Sequence, residues 1–529
     1  MEIATLINDL ARPAAFPVPV DAVETHQTHI STVFIAGDVA YKIRKPVRLP
    51  FLDFSTLEKR ERDCHEEVRL NRRLAPQVYL GVVPITCDPS GCVFEGSGEA
   101  VEWAVKMTRL PVDATLEHLV QHDAVQGDQL ARLGVRLADF HRTARRDPHI
   151  ASFGRMDVVS LNLRENLRLA SHQVGQTVSA NVWAQLDRAQ EAALLRHQAL
   201  ITARAERGVP CETHGDLHLD HVYLFPAAAT PNDLVIVDCI EFNERFRFTD
   251  PIADMAFLLM DLKFHGRRDL AARFFEGYFD AVDDDEGRAL VPLYSAYRAA
   301  VRGKVEGLLM CEPEVPEAER TAAAMRARGH WLLAHGELCA ADERPGLLLV
   351  GGLPGTGKST LSRELAAEFR FEVIRSDVVR KELAGVSQAD CATQKLIPKY
   401  YSADWTTRTY EECFRQAAEQ IWQGSRVIID ATFGNEAHRA EGLALADRLG
   451  VPGGLLICEA SPQTIRERLA NRHGDASDAD WGIYESARDQ WEPSAAATLR
   501  RQSTLRTDLA AHSQARRTLV KFDLASGVA

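Results

Sequence analysis

The sequence lacks several features that mark whole classes of protein. No apolar run approaches the roughly 20 residues of a membrane-spanning helix, and no basic start followed by an apolar stretch opens the chain. The 10 cysteines are scattered; Cys87 and Cys92 lie close together in a turn-like segment, but no second pair follows at zinc-site spacing. These absences predict a cytoplasmic protein whose thiols are reduced.

An excess of positive charge is also absent. The net charge is −13, and residues 346–529 hold 23 Lys and Arg against 24 Asp and Glu. Nearly all of the negative charge therefore lies before residue 346. This distribution argues against a general binder of nucleic-acid backbones, and it is compatible with a cationic small substrate.

The length and the pattern of apolar residues predict two domains. At 529 residues the chain is too long for a single core. A β-rich first lobe, with a hairpin at 31–43 and a helix at 57–75, precedes a mostly helical lobe. The boundary is expected near residue 340, which gives a first domain at 1–340, with a helical linker at about 311–340, and a second at 341–529.

Beyond residue 341, strand-like apolar runs alternate with helical stretches, and this alternation predicts an α/β domain with a mainly parallel sheet. The first run leads into GLPGTGKS, which fits G-x-x-x-x-G-K-[ST] and precedes a helix-forming stretch. In such a P-loop, backbone N–H groups and the helix N-terminus bind nucleotide phosphates. Lys358 is expected to reach the β- and γ-phosphates, and Ser359 to ligate Mg²⁺. The predicted ATP-binding residues are Gly352, Leu353, Pro354, Gly355, Thr356, Gly357, Lys358, Ser359 and Thr360.

Three more segments resemble the small-molecule and polynucleotide kinases of the P-loop superfamily, especially enzymes of the gluconate kinase and zeta toxin types. They read RSDVVRKEL, VIIDATF and RERLANR. The resemblance implies that Asp377 is the general base, that Arg380 helps to hold the acceptor, and that Asp430 holds the acceptor or a metal-bound water. The third segment is expected to form a lid helix whose arginines neutralise charge on the transferred phosphoryl group, and positions 468 and 472 share one face of it. The alternative is that these arginines only form a solvated helix face. The arginines are Arg466, Arg468 and Arg472. The basic stretch at 500–521 is expected to be surface, with acceptor binding as the alternative.

In the first part of the chain, two carboxylates follow the pattern of a phosphotransfer site. Residues 213–224 read THGDLHLDHVYL, and LVIVDCIEFN follows at 234–243. Asp216, in a short loop between apolar runs, would accept the proton of an acceptor hydroxyl. Asp238, at the end of a strand, would hold Mg²⁺ on the ATP phosphates.

The order and spacing of these segments resemble the aminoglycoside phosphotransferase and choline kinase family, which shares a bilobal α+β fold with protein kinases. The resemblance covers roughly 25–300. It implies that Lys42 binds the ATP phosphates and pairs with Glu67, with Glu66 as the second choice. It also implies a hinge for adenine at MTRLP (107–111) and two acidic braces of the catalytic loop, Asp250 and Asp254.

One position departs from that family, which has a Mg²⁺-binding Asn five residues after the catalytic Asp. His221 stands at that position. Because imidazole is a poor ligand for Mg²⁺, either the metal site is altered or another side chain supplies an oxygen. His221 is a metal ligand, a phosphate contact or a structural histidine, and the oxygen donors that could replace it are Asp220, Glu241 and Asn243. Three other histidines are interpreted as packing and hydrogen-bonding residues: His141, His214 and His218.

The sequence therefore predicts a tandem ATP- and Mg²⁺-dependent kinase. Each site would transfer the γ-phosphate to a hydroxyl of a small polar acceptor, such as a sugar, an aminoglycoside-like molecule or a nucleotide-sugar. Two alternatives stay open. One is a single active P-loop kinase preceded by a regulatory pseudokinase, and the other is a kinase of nucleic-acid ends, which the nearly neutral second part disfavours. No membrane partner is expected, and no feature predicts the oligomeric state or a coupling between the two sites.

Overall fold

The chain forms two compact units, each assembled from several segments. The computed structural model describes residues 2–49, 52–385, 402–471, 481–509 and 511–526. The first unit comprises Met1–Ser160, His197–Leu262 and Arg267–Val291, and the second comprises Leu161–Arg196, Lys263–Gly266 and Pro292–Ala529. Within the described part of the chain, no helix combines the length and the apolar character that crossing a bilayer requires.

The first unit begins with a mostly β region. Its strands are β1 (Glu24–Gln27), β2 (Ser31–Ala36), β3 (Val39–Arg44), β4 (Arg48–Leu49), β5 (Leu52–Asp53), β6 (Tyr79–Asp88), β7 (Gly91–Phe94) and β8 (Glu102–Thr108). Six of them form an antiparallel sheet in the order β1-β2-β3-β8-β6-β7, and β4 pairs with β5. The pairing of β2 with β3 confirms the predicted hairpin at 31–43. Phe34, Tyr41 and Ile43 pack with side chains of α1 (Ile3–Leu10) in a shared core.

The hairpin of β6 and β7 corrects one prediction. Cys87 and Cys92 lie directly opposite each other in its register. Their sulfur atoms form a disulfide, and their Cα atoms are 4.0 Å apart. The prediction that the thiols are reduced is wrong for this pair, because the turn between the strands brings two cysteines face to face.

A long helix packs on the sheet and confirms the helix predicted at 57–75. This helix, α2 (Leu57–Asn71), begins after Thr56, whose side chain accepts a hydrogen bond from the N–H of Lys59. Cys64 and Val68 pack with residues of β6 and β8. Glu67, between them in the sequence, is fully buried at this contact.

The rest of the first unit is mostly helical. The helices that begin in it are α3 (Leu116–Gln121), α4 (Gly127–Thr143), α5 (Pro148–Phe153), α6 (Met156–Ala170), α8 (Glu244–Arg247), α9 (Pro251–Phe264) and α10 (Arg268–Ala281), and α7 (Ala180–Glu206) ends in it. Two short hairpins are formed by β10 (Val222–Leu224) with β11 (Leu234–Ile236), and by β9 (Cys211–Glu212) with β12 (Phe248–Thr249). The HGD segment lies between β9 and β10, and Asp238 follows β11. The predicted bilobal α+β kinase-like fold is confirmed.

The second unit contains the predicted parallel sheet. Its strands are β13 (Gly346–Gly351), β14 (Phe371–Arg375), β15 (Arg426–Asp430), β16 (Gly453–Glu459) and β17 (Gln502–Arg506), in the order β14-β15-β13-β16-β17. All four pairings are parallel. Its helices include α11 (Val291–Leu309), α12 (Glu317–Leu338), α13 (Lys358–Phe369), α14 (Ser376–Leu383), α15 (Ala403–Trp422), α16 (Glu436–Arg448), α17 (Pro462–Ala470), α18 (Trp481–Asp489), α19 (Ala496–Arg500) and α20 (Ala511–Lys521).

The basic stretch at 500–521 is part of this fold, so the expectation of a surface segment is wrong for its apolar side chains, which are buried. Its first part forms β17, where Leu505 is buried. Ala515 and Leu519 of α20 pack in the core of the sheet with Leu456. Most basic side chains of this stretch, such as Arg506, are exposed, whereas Arg501 pairs with Asp447.

Candidate active sites

A lysine–glutamate ion pair connects β3, α2 and the loop after β11. The Nζ atom of Lys42 lies 2.9 Å from Oε1 of Glu67 and 3.0 Å from Oδ1 of Asp238. Glu66, the second choice for this pairing, contacts arginines instead. Burial alone would lower the pKa of Lys42, but the carboxylates of Asp238 and Glu67 outweigh it and raise the pKa above its usual value. The ammonium group is therefore positively charged at the position implied for phosphate binding.

A second cation, Arg44, lies on the same face of β3, two residues after Lys42. Its Nε is 2.6 Å from Oδ2 of Asp63, and its Nη2 contacts Oε2 of Glu67 at 2.5 Å and also Glu241. Glu67 thus binds Lys42 through one oxygen and Arg44 through the other. Arg44 was missed in the sequence because its partners are distant, up to 197 residues away. It holds the glutamate in the orientation that the lysine needs.

Replacing Arg44 with Met is expected to lower the unfolding free energy of the first unit by about 3–5 kcal/mol, because three carboxylates lose their shared cation. Hydrogen exchange on peptides from β3 and α2 measures this change in the full chain. The matched control is Arg48→Met, at a side chain that is 81% exposed, with an expected change below about 1 kcal/mol. Equal protection in both variants would contradict the structural role of Arg44.

Asp254, in the first turn of α9, holds the backbone of the HGD segment. Its carboxylate accepts hydrogen bonds from the N–H groups of His214 (3.0 Å) and Gly215 (2.9 Å). Gly215 has φ of +90°, and a Cβ there would lie 3.0 Å from a backbone carbonyl oxygen, so the position favours glycine. Asp254 makes the bracing contact that was expected. Asp250 does not share it, because its carboxylate binds Arg204 at 2.7 and 3.0 Å.

His221 lies between the two candidate catalytic carboxylates. Its Nε2 is 3.5 Å from Oδ2 of Asp238, and its Nδ1 is 4.0 Å from Oδ2 of Asp216. Loss of water around Asp238 would raise its pKa, but the ammonium group of Lys42 outweighs that effect and lowers it. The Asp238 side chain is therefore ionised, and at 45% exposure it is accessible to a cation.

The side chains that could replace His221 as oxygen donors have partners elsewhere. Asp220 shares a hydrogen bond with Glu117, Glu241 pairs with Arg44, and Asn243 caps the short helix α8. The carboxylates of Asp216 and Asp238 fit Mg²⁺, whereas the imidazole of His221 fits a softer cation better. Among the described residues, Asp216, His218 and His221 have potential ligand atoms within 4.8 Å of one another.

His214 connects the segments that carry the two carboxylates. Its side chain is fully buried, its Nε2 lies 2.8 Å from the carbonyl oxygen of Val237, and its Nδ1 accepts a hydrogen bond from the N–H of Asp216 at 3.3 Å. His141 bonds with both ring nitrogens, at 3.2 Å to Asp254 and 2.9 Å to a tyrosine hydroxyl. The interpretation of these two histidines as hydrogen-bonding residues is confirmed.

Acid is expected to destabilise the first unit through His214. Burial lowers the pKa of His214 from 6.5 to about 4. The unfolded chain therefore binds the proton first, so this contribution to stability is complete above about pH 6.5 and is lost as the pH falls toward 4. The expected loss is on the order of 3 kcal/mol. Hydrogen exchange between pH 7.5 and 4.5 measures the stability of the first unit as a function of pH. The His214→Gln variant should show a flatter dependence on pH, and the control His122→Gln, at an exposed side chain, should show the original dependence. Identical profiles would contradict the assignment.

The predicted P-loop connects β13 to α13. Gly352 has φ of +138°, and a Cβ there would lie 2.5 Å from the carbonyl oxygen of Cys458, so the tight turn depends on glycine. Lys358 and Ser359 begin α13, and the Lys358 Nζ donates a hydrogen bond to the carbonyl oxygen of Leu353 at 3.1 Å. The loop therefore precedes a helix N-terminus, as phosphate binding by backbone N–H groups requires.

Asp430 ends β15 beside the P-loop strand, opposite Val350 in the parallel register. Its carboxyl accepts a hydrogen bond from Ser359, and burial raises its pKa in spite of that bond and of Lys358 nearby. Ser359 is thus placed next to Asp430, the carboxylate of the P-loop site for which a contact with a metal-bound water was predicted.

A cleft of about 2440 Å³ opens beside the P-loop. Asp377, in the first turn of α14, lines this cleft together with Lys358, Asp430 and Arg380. Arg380 donates a hydrogen bond to the hydroxyl of Thr406 at 3.4 Å. The structure thus brings together the predicted base, the predicted acceptor-binding arginine and the P-loop.

The three predicted lid arginines differ in position. Arg468 lies against the P-loop, with its Nη1 3.0 Å from the hydroxyl of Thr507 and 3.4 Å from the carbonyl oxygen of Gly355. Arg466 instead stacks on the ring of Trp481, 4.3 Å from its centroid. Arg472 lies outside the described residues.

Thr507 is a residue that sequence reasoning missed. It directly follows β17, lines the cleft, and its hydroxyl also donates a hydrogen bond to the carbonyl oxygen of Thr356 in the P-loop. Recognition of β17 as a strand would have found it, because ligands of parallel sheets bind at the carboxyl ends of the strands.

Comparisons with known proteins match two separate regions of the chain to protein families. Residues 48–291 match the family described as the phosphotransferase enzyme family, and residues 347–493 match an AAA domain. The uncharacterized proteins Mb2027c of Mycobacterium bovis and Rv2004c of Mycobacterium tuberculosis are 35% identical over 457 residues, which are 86% of this chain and 88% of each relative.

Solved structures of kinases are similar to each part. A choline/ethanolamine kinase family protein from Mesorhizobium loti is 14% identical, with a TM-score of 0.36, and the match covers 63% of this chain and 98% of that chain. A gluconokinase from Sinorhizobium meliloti 1021 is 16% identical, with a TM-score of 0.25, and the match covers 34% of this chain and 93% of that chain.

Proposed function

The chain belongs to the family of these mycobacterial proteins and is an enzyme built from two kinase-family domains, and we propose that both domains transfer phosphate from ATP. One observation carries the proposal. Each unit has a lysine beside a carboxylate at the carboxyl end of a strand: Lys42 contacts Asp238, and Lys358 lies near Asp430. A cation for the phosphates next to an anion for the metal is what phosphoryl transfer requires, since positioning and charge neutralisation supply most of its catalysis.

In the N-terminal site, Asp216 takes the proton of the acceptor hydroxyl. The acceptor oxygen bonds to the γ-phosphorus as the bond from that phosphorus to the β-phosphate oxygen breaks, which releases ADP. Lys42, oriented by Glu67, binds the nucleotide phosphates. Asp238 is the carboxylate that would hold a divalent cation, which when bound would neutralise charge on the phosphates.

In the C-terminal site, Asp377 has the same role toward a second acceptor. Backbone N–H groups of the P-loop and Lys358 bind the phosphates, and Ser359 would hold Mg²⁺ with Asp430 beside it. Arg468, against the P-loop, is placed to neutralise charge on the transferred group.

The surroundings of the two sites support different acceptors. Carboxyl groups are concentrated around the segment that follows Asp216. Glu117 shares a hydrogen bond with Asp220, and this bond, together with burial, raises the pKa of Glu117 to about 8. A third carboxyl group, that of Asp261, accepts a hydrogen bond from the N–H of Leu219. This concentration of carboxyl groups favours an acceptor with both amino and hydroxyl groups, as in an aminoglycoside-like molecule. The cleft at Asp377 has acidic side chains in its lining too, but Arg380 and Arg468 lie in it with Lys358, and these cations favour a sugar acid, a sugar or a nucleotide-sugar.

His221 favours one alternative, in which the N-terminal domain binds ATP without turning it over and regulates the C-terminal kinase. That alternative follows if the imidazole prevents productive Mg²⁺ binding. The C-terminal site would then account for all phosphate transfer.

Transfer of labelled γ-phosphate to a panel of metabolites tests the proposal. The panel contains amino sugars, sugars, sugar acids and nucleotide-sugars, and the full chain is compared with Asp216→Asn and Lys358→Met. Two acceptors, each lost in a different variant, are expected. A single acceptor that only Lys358→Met abolishes would support the regulatory alternative, and hydrolysis of ATP without any transfer would contradict the proposal.

A further inference from the structure

The residue at the cation position of the N-terminal site is His221, where the resembled phosphotransferases have an asparagine. We propose that the imidazole of His221 is a metal ligand, and that this site therefore binds a divalent transition-metal ion, for which Co²⁺ is the probe, in preference to Mg²⁺. The proposal rests on the proposed function of the N-terminal domain, since it concerns the cation that accompanies its nucleotide.

The tautomer of His221 is set by its backbone contact. The Nδ1 atom lies 2.8 Å from the carbonyl oxygen of Asp216, which can only accept a hydrogen bond, so Nδ1 carries the proton. In a neutral imidazole the lone pair is then on Nε2. A backbone carbonyl on Nδ1–H is a common support of metal-binding histidines, because it fixes the ring and increases the basicity of the other nitrogen.

The Nε2 atom of His221 faces Oδ2 of Asp238, which is not the oxygen that pairs with Lys42. Asp238 gives Oδ1 to Lys42 at 3.0 Å, and its Oδ2 lies 3.5 Å from Nε2 of His221. A lone pair and an anionic oxygen at this separation repel each other unless a cation binds both. Asp238 has φ of +66°, outside the regions that most residues adopt, so the loop holds this carboxylate in a particular place.

Two further groups, His218 and Asp216, have potential ligand atoms close to His221. His218 packs its ring on His221, with the centroids 3.9 Å apart, and its Nε2 is 3.5 Å from Oδ2 of Asp216. Nitrogen and oxygen donors in this mixture suit first-row transition metals, whereas Mg²⁺ takes oxygen ligands and keeps its water. The donor set therefore differs from the all-oxygen set that an asparagine would complete.

Titration with Co²⁺ tests the proposal in the full chain. The Gly352→Val variant is the background, because a side chain at that position would displace the P-loop and leave its site contributing little, and a non-hydrolysable ATP analogue is present. Visible absorption of the bound cobalt gives its affinity, and Mg²⁺ is added as a competitor. His221→Asn is expected to weaken Co²⁺ binding by about 10–100-fold without weakening Mg²⁺. The control is His26→Asn, at a side chain that is 66% exposed, and it should bind like the background.

Unchanged Co²⁺ affinity in His221→Asn would overturn the proposal. Tighter Co²⁺ binding in this variant would also overturn it, because that result is expected if His221 is protonated and forms an ion pair with Asp238. A measurement without this substitution covers the case in which the variant does not fold. Proton NMR of the Co²⁺-loaded background should show an exchangeable imidazole N–H signal far outside the normal range, and its absence would also overturn the assignment. Phosphate transfer is assayed separately: cobalt binding through His221 without any transfer would contradict the proposed function and leave the metal assignment standing.

Discussion

Asp216→Asn is expected to lower kcat for phosphate transfer by the N-terminal site by about 10²–10⁴-fold, the range attributed to a general base. The substitution removes the proton acceptor and keeps the size of the side chain. The loop should keep its shape, because Asp254 binds the backbone of His214 and Gly215, and His221 binds the backbone oxygen of Asp216. Steady-state transfer to the N-terminal acceptor measures the effect, and KM for ATP should change little.

The matched control for this substitution is Asp157→Asn, at a side chain of the same unit that is 70% exposed. It should leave both activities unchanged. Transfer by the P-loop site should be the same in Asp216→Asn and in the unchanged chain. If N-terminal transfer persists at its original rate in Asp216→Asn, another group is the base. If the chain shows no transfer that depends on Asp216, the regulatory alternative is supported.

Lys358→Met is expected to lower kcat of the C-terminal site by about 10²–10³-fold, the usual cost of removing one charge-stabilising group from a transition state. Methionine keeps most of the length of the side chain and removes the ammonium group. Backbone N–H groups of the P-loop would still bind the phosphates, so the loss should fall mainly on kcat. Single-turnover transfer to the C-terminal acceptor separates this step from nucleotide binding.

The control for the second substitution is Arg517→Met, which removes an exposed positive charge from α20 of the same unit. It should not change transfer. A Lys358→Met enzyme that keeps its kcat and only binds ATP more weakly would show that the lysine serves binding alone. Loss of both activities in this variant would indicate that the two sites are coupled.

Much of each site could be predicted because its residues lie in short, contiguous segments. The P-loop fits within 352–359, and its flanking strand and helix follow from the apolar pattern around it. Asp216 and Asp238 each end a short segment between apolar runs. The pairing of Lys42 with a glutamate of the next helix was implied by the family resemblance, and the structure selects Glu67 over Glu66.

What could not be predicted depends on contacts between distant segments. Arg44 looks like an ordinary surface residue of the sequence KIRK until Glu241, 197 residues away, is placed against it. The strand β17 buries only Leu505 fully and is otherwise polar and basic, so its composition hides its place at the edge of the sheet. The same holds for Thr507, whose position depends on that strand. The contact of His221 with Asp238 likewise arises only when two loops meet.

The number of nucleotides bound per chain tests the central claim most directly, because the claim is that one chain has two separate sites for ATP. Equilibrium dialysis with a non-hydrolysable ATP analogue should give two per full chain. Lys42→Met and Gly352→Val should each give one, because a side chain at position 352 would clash with the carbonyl oxygen of Cys458 and displace the P-loop, and the double variant should give none. One nucleotide in the full chain, lost completely in either single variant, would contradict the account.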